Sequence, residues 1–176
     1  GLPYRSAGSF NGSKLPDAQA AYETSNSLNA GLLSGVNFML HACGWLEGGL
    51  VASFEKFVMD ADQLGVLHKL AGGVEHDENA QAMDALREVG PGGHFFGTQH
   101  TQDRYTTAFY QPFLSDWKNF EAWDVAGAVW TPERAHHMYK AILNEFEAPP
   151  MDAAIQEELA DFVARRKAEG GAPTDF

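Results

Sequence analysis

Within Val36–Leu50, VNFMLHACGWLEGGL, an apolar run gives way to His41, Cys43, Trp45 and Glu47, set among glycines. A His beside a Cys can activate a thiolate, and His41, Cys43 and Glu47 together could begin a metal site. The spacing favours neither. There is no CxxC and no HExxH, and Cys43, between Ala42 and Gly44, reads as a small packing residue with no third group to orient a histidine. No metal is expected. Glu47 is the better candidate: a carboxylate between Leu46 and Gly48, next to Trp45, should be partly desolvated, which suits cation recognition or proton transfer. A competing reading makes it an acidic cap for a helix running from Gly49.

A second, weaker group lies at Gly93–His100, with His94, Phe95, Phe96 and His100, and Tyr105 follows. Trp45, Phe95, Phe96 and Tyr105 could supply the aromatic faces that hold a quaternary ammonium together with a carboxylate. Core packing is the plainer use of such rings. His136 and His137 fall on a later helical stretch and read as surface residues.

These residues need elements to hold them. Val36–Leu40 is short, apolar apart from Asn37, and bounded by glycines, as expected of a parallel-sheet strand buried on both faces. His41 to Glu47 would then sit at its carboxyl end, where ligands bind in α/β sheets. Gly1–Asp17 has the composition of a loop with no element before it, so the chain is expected to be the carboxyl-terminal part of a longer protein. Pro16 and Asp17 open a helix to about Leu33, closed by Gly31 and Gly35. Leu50, Phe54, Phe57, Val58, Ala61, Leu64 and Leu70 form the inward stripe of an amphipathic helix that Gly72 and Gly73 end.

Asp77 caps a further helix to about Val89, with Ala80, Met83 and Leu86 inward. His94–Phe96 is expected as a short strand, with a helical turn beginning near Thr101 or Asp103. Residues 111–130 carry Trp117, Trp123 and Trp130 and are expected to be an irregular segment anchored by its aromatics. Thr131-Pro132-Glu133 starts a helix with Ala135, Met138, Tyr139, Ile142, Leu143 and Phe146 inward. Asp152 caps a last helix with Ile155, Leu159, Phe162 and Val163 inward and a basic final turn, and Glu169–Phe176 reads as a frayed tail. The alternation predicts an α/β fold with a parallel sheet.

The 176 residues can bury a core, and 44% hydrophobic composition is that of a globular protein. A net charge of −12 lacks the clustered Lys and Arg that a phosphate backbone requires, so no nucleic-acid partner is expected. No apolar run approaches the roughly 20 residues of a bilayer span, and the start has no signal-peptide order, so a cytoplasmic protein without membrane contact is expected. Cys43 is the single cysteine and forbids an internal disulfide.

Three stretches, GLPYRSAGSFNGSKLPDAQAAYE, GVNFMLHACGWLEGGLVASFEKFVMDADQLG and REVGPGGHFFGTQHT, resemble the carboxyl-terminal portion of the trimethylamine methyltransferase family. These are corrinoid-dependent amine methyltransferases that include the glycine betaine enzymes. The resemblance covers most of residues 1–170 in order. It implies the carboxyl-terminal part of a (β/α)8 TIM barrel, helix-rich, over residues 1–148, followed by a terminal helix and tail over 149–176. The implied reaction moves a methyl group from a methylated amine to the cobalt of a corrinoid protein. This chain would bind no cofactor directly, the cobalamin being carried by that partner, and a homo-oligomer is compatible with the family.

A quaternary ammonium already contains a charged leaving group, so positioning and electrostatics would suffice. Glu47 and His41 are the expected catalytic residues, acting as polar anchors, with Trp45, Phe95, Phe96 and His100 binding substrate. The trimethylamine branch carries pyrrolysine in its barrel, whereas this chain has standard residues only. If the segment spans that position, a quaternary amine such as glycine betaine is the expected substrate. The alternative is a barrel that binds an amine or docks a corrinoid protein without catalysis. The segment alone is expected to be inactive and to lack a cooperative melt.

Overall fold

The computed structural model describes residues 1–170. The part of the expected tail at 171–176 lies outside the described residues. The chain divides into two units, Gly1–Ile142 and a second beginning at Leu143.

The first unit begins with β1 (Arg5–Ala7), α1 (Ala18–Leu33) and β2 (Phe38–Leu40). Strands β1 and β2 pair in parallel, Arg5 opposite Phe38 and Ala7 opposite Leu40, so α1 is the crossover of a βαβ unit. The expected loop at Gly1–Asp17 therefore contains a strand. Its pairing comes from a distant partner rather than from its own residues: Asn37 Oδ1 accepts the Tyr4 amide at 2.8 Å, and the Asn37 amide donates back to the Tyr4 carbonyl at 2.9 Å. Asn37, the polar break in the apolar run, is the clamp that starts the ladder. Phe38 is 60% exposed, so β2 is not buried on both faces as expected; a two-stranded sheet leaves each strand an open edge.

Helix α1 runs as the capping signals indicate, with Asp17 accepting from the Ala20 amide. Gly31, expected to close it, is buried inside it, where a side chain would collide with Met39 of β2. The end falls at Ser34, followed by Gly35 at φ +69°.

After β2 the chain makes a small antiparallel hairpin that the sequence did not announce. Strands β3 (Trp45–Leu46) and β4 (Val51–Ala52) pair across a 3₁₀ turn at Glu47–Gly49. Then α2 (Phe54–Ala71) starts at the Ser53 cap, whose hydroxyl accepts from the Lys56 amide. The cap role considered for Glu47 thus belongs to Ser53. Helix α2 keeps only part of the expected inward stripe: Val58 is buried and Ala61 and Leu64 are partly buried, but Phe54, Phe57, Leu70 and the preceding Leu50 are exposed, while Lys56, Asp60 and Asp62 are buried. The three charged residues can turn inward because each finds polar partners there, described below.

From the end of α2 to residue 110 the structure is short and local. Asp77 does cap a turn, accepting from the Ala80 amide at 2.7 Å, but left-handed Ala82 interrupts it, and α3 covers only Met83–Val89. Ala85 is its buried residue, while Met83 and Leu86 are exposed. No strand forms at His94–Phe96; the chain passes through turns into α4 (Gln99–Gln102), capped by Thr98. Without a neighbour to pair with, three such residues have no ladder.

Residues 111–130 are irregular apart from α5 (Phe120–Val125). Aromatic packing does not anchor them, since Trp117 and Trp130 are 80% and 74% exposed. Polar tethers do. Asp62 of α2 accepts the amides of Phe113, Leu114 and Ser115 and the Ser115 hydroxyl at 2.7–3.1 Å. Arg134 donates to the carbonyls of Leu114 and Val129. Arg134 lies on α6 (Thr131–Asn144), where Ala135 is buried with Val58 and Leu114, and Met138 and Tyr139 pack against that core. Ile142, Leu143 and Phe146 are exposed instead of inward.

In the second unit, Asp152 caps α7 (Ala153–Ala168) by accepting the Ala154 and Ile155 amides, and the last turn holds Arg165, Arg166 and Lys167. Ile155, Leu159, Phe162 and Val163 are each about half exposed, because among the described residues of its own unit the helix has no facing layer. Overall the described residues are helix-rich with little sheet.

Candidate functional site

The parallel ladder does not stop where the strands end. The Gly8 amide donates to the Leu40 carbonyl at 3.3 Å and the Ser9 amide to the His41 carbonyl at 2.9 Å. That register carries the residues after β1 and the residues after β2 to the same sheet edge. Phe10 and His41 consequently meet, with ring centroids 5.2 Å apart, and Trp45 closes the group at 6.1 Å from Phe10 and 5.5 Å from His41, edge-on to the imidazole. Trp45 is half-buried and Phe10 exposed on one side.

Glu47 lies two residues beyond Trp45 on the same hairpin. It is exposed, in contrast to the partial desolvation expected of it, because it occupies the tip of the 3₁₀ turn. Its backbone is fixed nonetheless: the Glu47 amide donates to the Ser13 carbonyl at 2.8 Å and the Gly48 amide to the Asn11 carbonyl at 2.7 Å. The loops Phe10–Ser13 and Glu47–Gly49 are thereby laid on one another. Gly49 sits against the far end of the Phe10 ring, where any side chain would overlap it, and its φ is +88°.

His41 and Glu47 share a second property. Both are non-glycine residues with left-handed backbones, φ +54° and +49°. Such conformations cost about 1–3 kcal/mol each and persist where surrounding contacts enforce them, which is common at ligand sites. Ala82 and Ala128 are left-handed too, so the strain marks candidates only in combination with the ring cluster.

Beneath this mouth lies a buried polar cluster. Lys56 is 0% exposed; its ammonium pairs with Asp60 one turn away and donates to Thr24 Oγ1 of α1 at 2.8 Å. Asp60 accepts the Gly44 amide at 2.8 Å through its other oxygen. Asn11 Nδ2 donates to Thr24 Oγ1 and to the Ser9 carbonyl, each at 3.3 Å. One ion pair on α2 thus bonds α1 and the loop after β2, and reaches the loop after β1 through the Thr24 hydroxyl that Asn11 shares. Burial pushes the Asp60 carboxyl up, against the downward pull of Lys56 and the Gly44 amide. Ser9 Oγ and Asn11 Oδ1, both buried, have no hydrogen-bond partner among the described residues.

Cys43 is half-buried, and its thiol is pushed up to about 11 by burial and then by the Asp60 charge. A nucleophilic cysteine needs the opposite shift. Among the described residues no three His, Cys, Asp or Glu side chains converge on a metal position.

The second expected group is not assembled with the first. Phe95 and Phe96 are exposed; Phe96 approaches only His94, at 5.6 Å between rings. His100 Nε2 lies 2.8 Å from the Asn79 carbonyl. Among the described residues no ring contact or hydrogen bond joins these to His41, Trp45 or Glu47, and Tyr105 is exposed as well. His136, expected at the surface, is partly covered: its Nδ1 lies 2.8 Å from Glu55 of α2 and its ring is edge-on to Tyr139. That hydrogen bond holds the Glu55 carboxyl below the usual range. His137 is exposed.

Phe10, Lys56 and Asp60 were missed by sequence reasoning. Phe10 becomes visible only once β1 and β2 are put in parallel register. Lys56 and Asp60 carried a signal, a cation and an acid four residues apart on one helix face, but that spacing is normally a solvated pair.

The trimethylamine methyltransferase family model matches residues 1–171. A glycine betaine methyltransferase of Desulfitobacterium hafniense (strain Y51) is 40% identical over 171 residues, covering 97% of this chain and 36% of the relative. A trimethylamine methyltransferase, MttB, of Methanosarcina barkeri (strain Fusaro / DSM 804) is 30% identical, covering 93% of this chain and 32% of the relative. The MttB of Desulfitobacterium hafniense (strain DSM 10664 / DCB-2) is 30% identical, covering 97% and 34%. The chain spans about a third of the length of the curated relatives it matches.

Proposed function

This chain belongs to the trimethylamine methyltransferase family, and on that premise we propose that it forms part of a methyltransferase that demethylates a quaternary amine, glycine betaine foremost. The observation that carries the reading is the mouth at the ends of β1 and β2. Rings of Phe10, His41 and Trp45 gather there with the exposed carboxylate of Glu47 on the same hairpin. Aromatic faces and a carboxylate are what a methylated ammonium requires, since it cannot donate hydrogen bonds and is held by charge and ring quadrupoles. The 40% identity to a glycine betaine methyltransferase over 97% of the chain favours that amine over trimethylamine. Phe95, Phe96 and His100 have no place in this mouth and are left out of it.

The acceptor we propose is the cobalt of a corrinoid carried by a separate protein, acting as second substrate; reduced cobalt supplies the electron pair that takes the methyl carbon. The carbon–nitrogen bond breaks with its electrons on nitrogen, so glycine betaine leaves as neutral-amine dimethylglycine without a proton from the protein. The residues of this chain hold and orient the ammonium. Trp45 and Phe10 face its methyl groups, Glu47 balances its charge, and His41 offers a ring nitrogen to the carboxylate end. As the charge on nitrogen vanishes in the reaction, Glu47 serves binding more than the transition state. The βαβ unit with its mouth at the carboxyl strand ends supports the further proposal of a (β/α)8 barrel.

The test is to incubate the full-length protein with glycine betaine and a reduced corrinoid protein and to quantify dimethylglycine. Dimethylglycine formed only with both present is the expected result. Absence of methyl transfer with glycine betaine, trimethylamine and their homologues would sink the proposal, and tight amine binding without transfer would favour a binding barrel.

A further inference from the structure

The buried charge pair under the mouth is placed too specifically to be packing alone. Lys56 and Asp60 contribute nothing to the amine site directly, since both are closed off from solvent. Yet each ring of the mouth hangs from a loop tied to them, directly at Gly44 or through Thr24 at Asn11. Gly44 lies between His41 and Trp45, and its amide is held by Asp60 Oδ2 at 2.8 Å. Phe10 lies between Ser9 and Asn11, and Asn11 shares the Thr24 hydroxyl with Lys56. Gly44 itself is left-handed, φ +83°, and a side chain there would press on Phe57 of α2.

We propose that Lys56 and Asp60 are positioning residues for the amine mouth, a buried ion pair that sets the loops after β1 and β2 in one arrangement through the Gly44 amide and the Thr24 hydroxyl. Lys56 pairs with Asp60 and aims it, and Asp60 sets the peptide between His41 and Trp45. A buried pair of this kind is a poor source of stability, because well-packed apolar residues of similar volume often serve as well. It is a good source of directional fixation, since a charged acceptor makes a strong hydrogen bond to a backbone amide. The kinetic consequence rests on the amine-binding function proposed above; the geometric one does not.

Two double variants of the full-length protein separate positioning from mere structure. Lys56→Met with Asp60→Leu removes both charges and the acceptor for Gly44. Lys56→Met with Asp60→Asn removes both charges but keeps a carbonyl for that amide. Circular dichroism melts should show both folded. The first should lose at least tenfold in kcat/KM for the amine, mainly through KM, with a shifted tryptophan emission, and the second, which keeps the Gly44 acceptor but not the Lys56–Thr24 link, should regain at least threefold of that loss while staying below the parent. The proposal is overturned if the Met/Leu variant keeps kcat/KM within twofold of the parent, or if Met/Asn is folded yet no better. Amide hydrogen exchange in the unmutated protein covers the case of a variant that does not fold: Gly44 is expected to be strongly protected, and exchange at the rate of an open loop overturns the proposal. If the unmutated protein transfers no methyl group, the functional proposal falls alone, and the Gly44 exchange still decides the positioning role.

Discussion

The loop after β2 and the segment after α3 carry similar residues, a histidine or two, adjacent aromatic rings and flanking glycines, and only the first is built into a site. The first follows a strand paired with β1, and the ladder runs on to His41. It is then fixed from below by a buried ion pair and from above by the Phe10–Ser13 loop. The second follows no strand, and its rings lie open with a single histidine contact to the Asn79 carbonyl. Residue type supplies the chemistry of a mouth; a parallel register and a directional anchor make the rings meet.

The comparison breaks most sharply at Lys56. Lys56→Met alone strands Asp60 as an unpaired buried charge, and the expected loss is about 3–5 kcal/mol of stability in a urea melt of the full-length protein. Phe96→Ala, in the second segment, removes a ring that is 78% exposed and should change stability by no more than about 0.5 kcal/mol. Equal effects from the two would erase the distinction between the regions.

The elements that could be read in advance are those whose signals are local. Asp17 and Asp152 cap where capping chemistry places them, and the apolar run after Gly35 announced strand β2, though not its partner. That His41 and Trp45 follow a strand was legible because the apolar run before them ends there. Orientation was not legible. The apolar stripe of α2 pointed Phe54, Phe57 and Val58 inward; Val58 is buried, but Phe54 and Phe57 are exposed, and Lys56, Asp60 and Asp62 are buried because partners from sequence-distant loops and α1 satisfy them. Hydrophobic periodicity measures what could be buried, and a polar residue with three partners outcompetes it without leaving a trace in its own neighbourhood. Strand β1 failed for the same reason, its ladder being supplied by Asn37 and β2.

Two glycines sharpen the contrast at the level of backbone. Gly49 at φ +88° and Gly92 at φ +80° are both left-handed, but a side chain at Gly49 overlaps Phe10 and one at Gly92 meets nothing. Gly92→Ala should cost only the left-handed penalty of about 1–2 kcal/mol. Gly49→Ala should cost about 1–3 kcal/mol beyond that, the penalty of overpacking. It should also displace Phe10 and weaken amine binding. A Gly49→Ala protein with the same melt and amine affinity as Gly92→Ala would show that Phe10 is not seated in the mouth.

Glu47 gives a smaller effect of opposite sign. It is exposed, without a side-chain hydrogen-bond partner among the described residues, and held at φ +49°. Glu47→Gly relieves the left-handed backbone and should raise stability by about 1 kcal/mol. The same variant should bind the amine more weakly, seen as a raised KM. A strained residue that improves stability when replaced and costs affinity is one kept for its side chain. Unchanged affinity would remove Glu47 from the site.

The smallest effect on stability concerns Cys43, which reports whether the first loop stays closed in solution. Burial and the Asp60 charge both favour its neutral thiol and move its pKa from 9.0 to about 11. Because the folded value lies above the unfolded one, the stability that the buried thiol contributes is fully present below pH 9 and is lost as pH climbs through about 11. Half-burial keeps that contribution modest. Reactivity reads the same shift more sensitively. At pH 8 the native thiolate fraction is about 100-fold below that of the unfolded chain, two pKa units being a factor of a hundred. Iodoacetamide should therefore label the native protein about 100-fold more slowly than the protein in urea, with the native rate still rising above pH 10. Equal rates at pH 8 would mean that Cys43 is not covered in solution, and the two segments would then be alike in their openness.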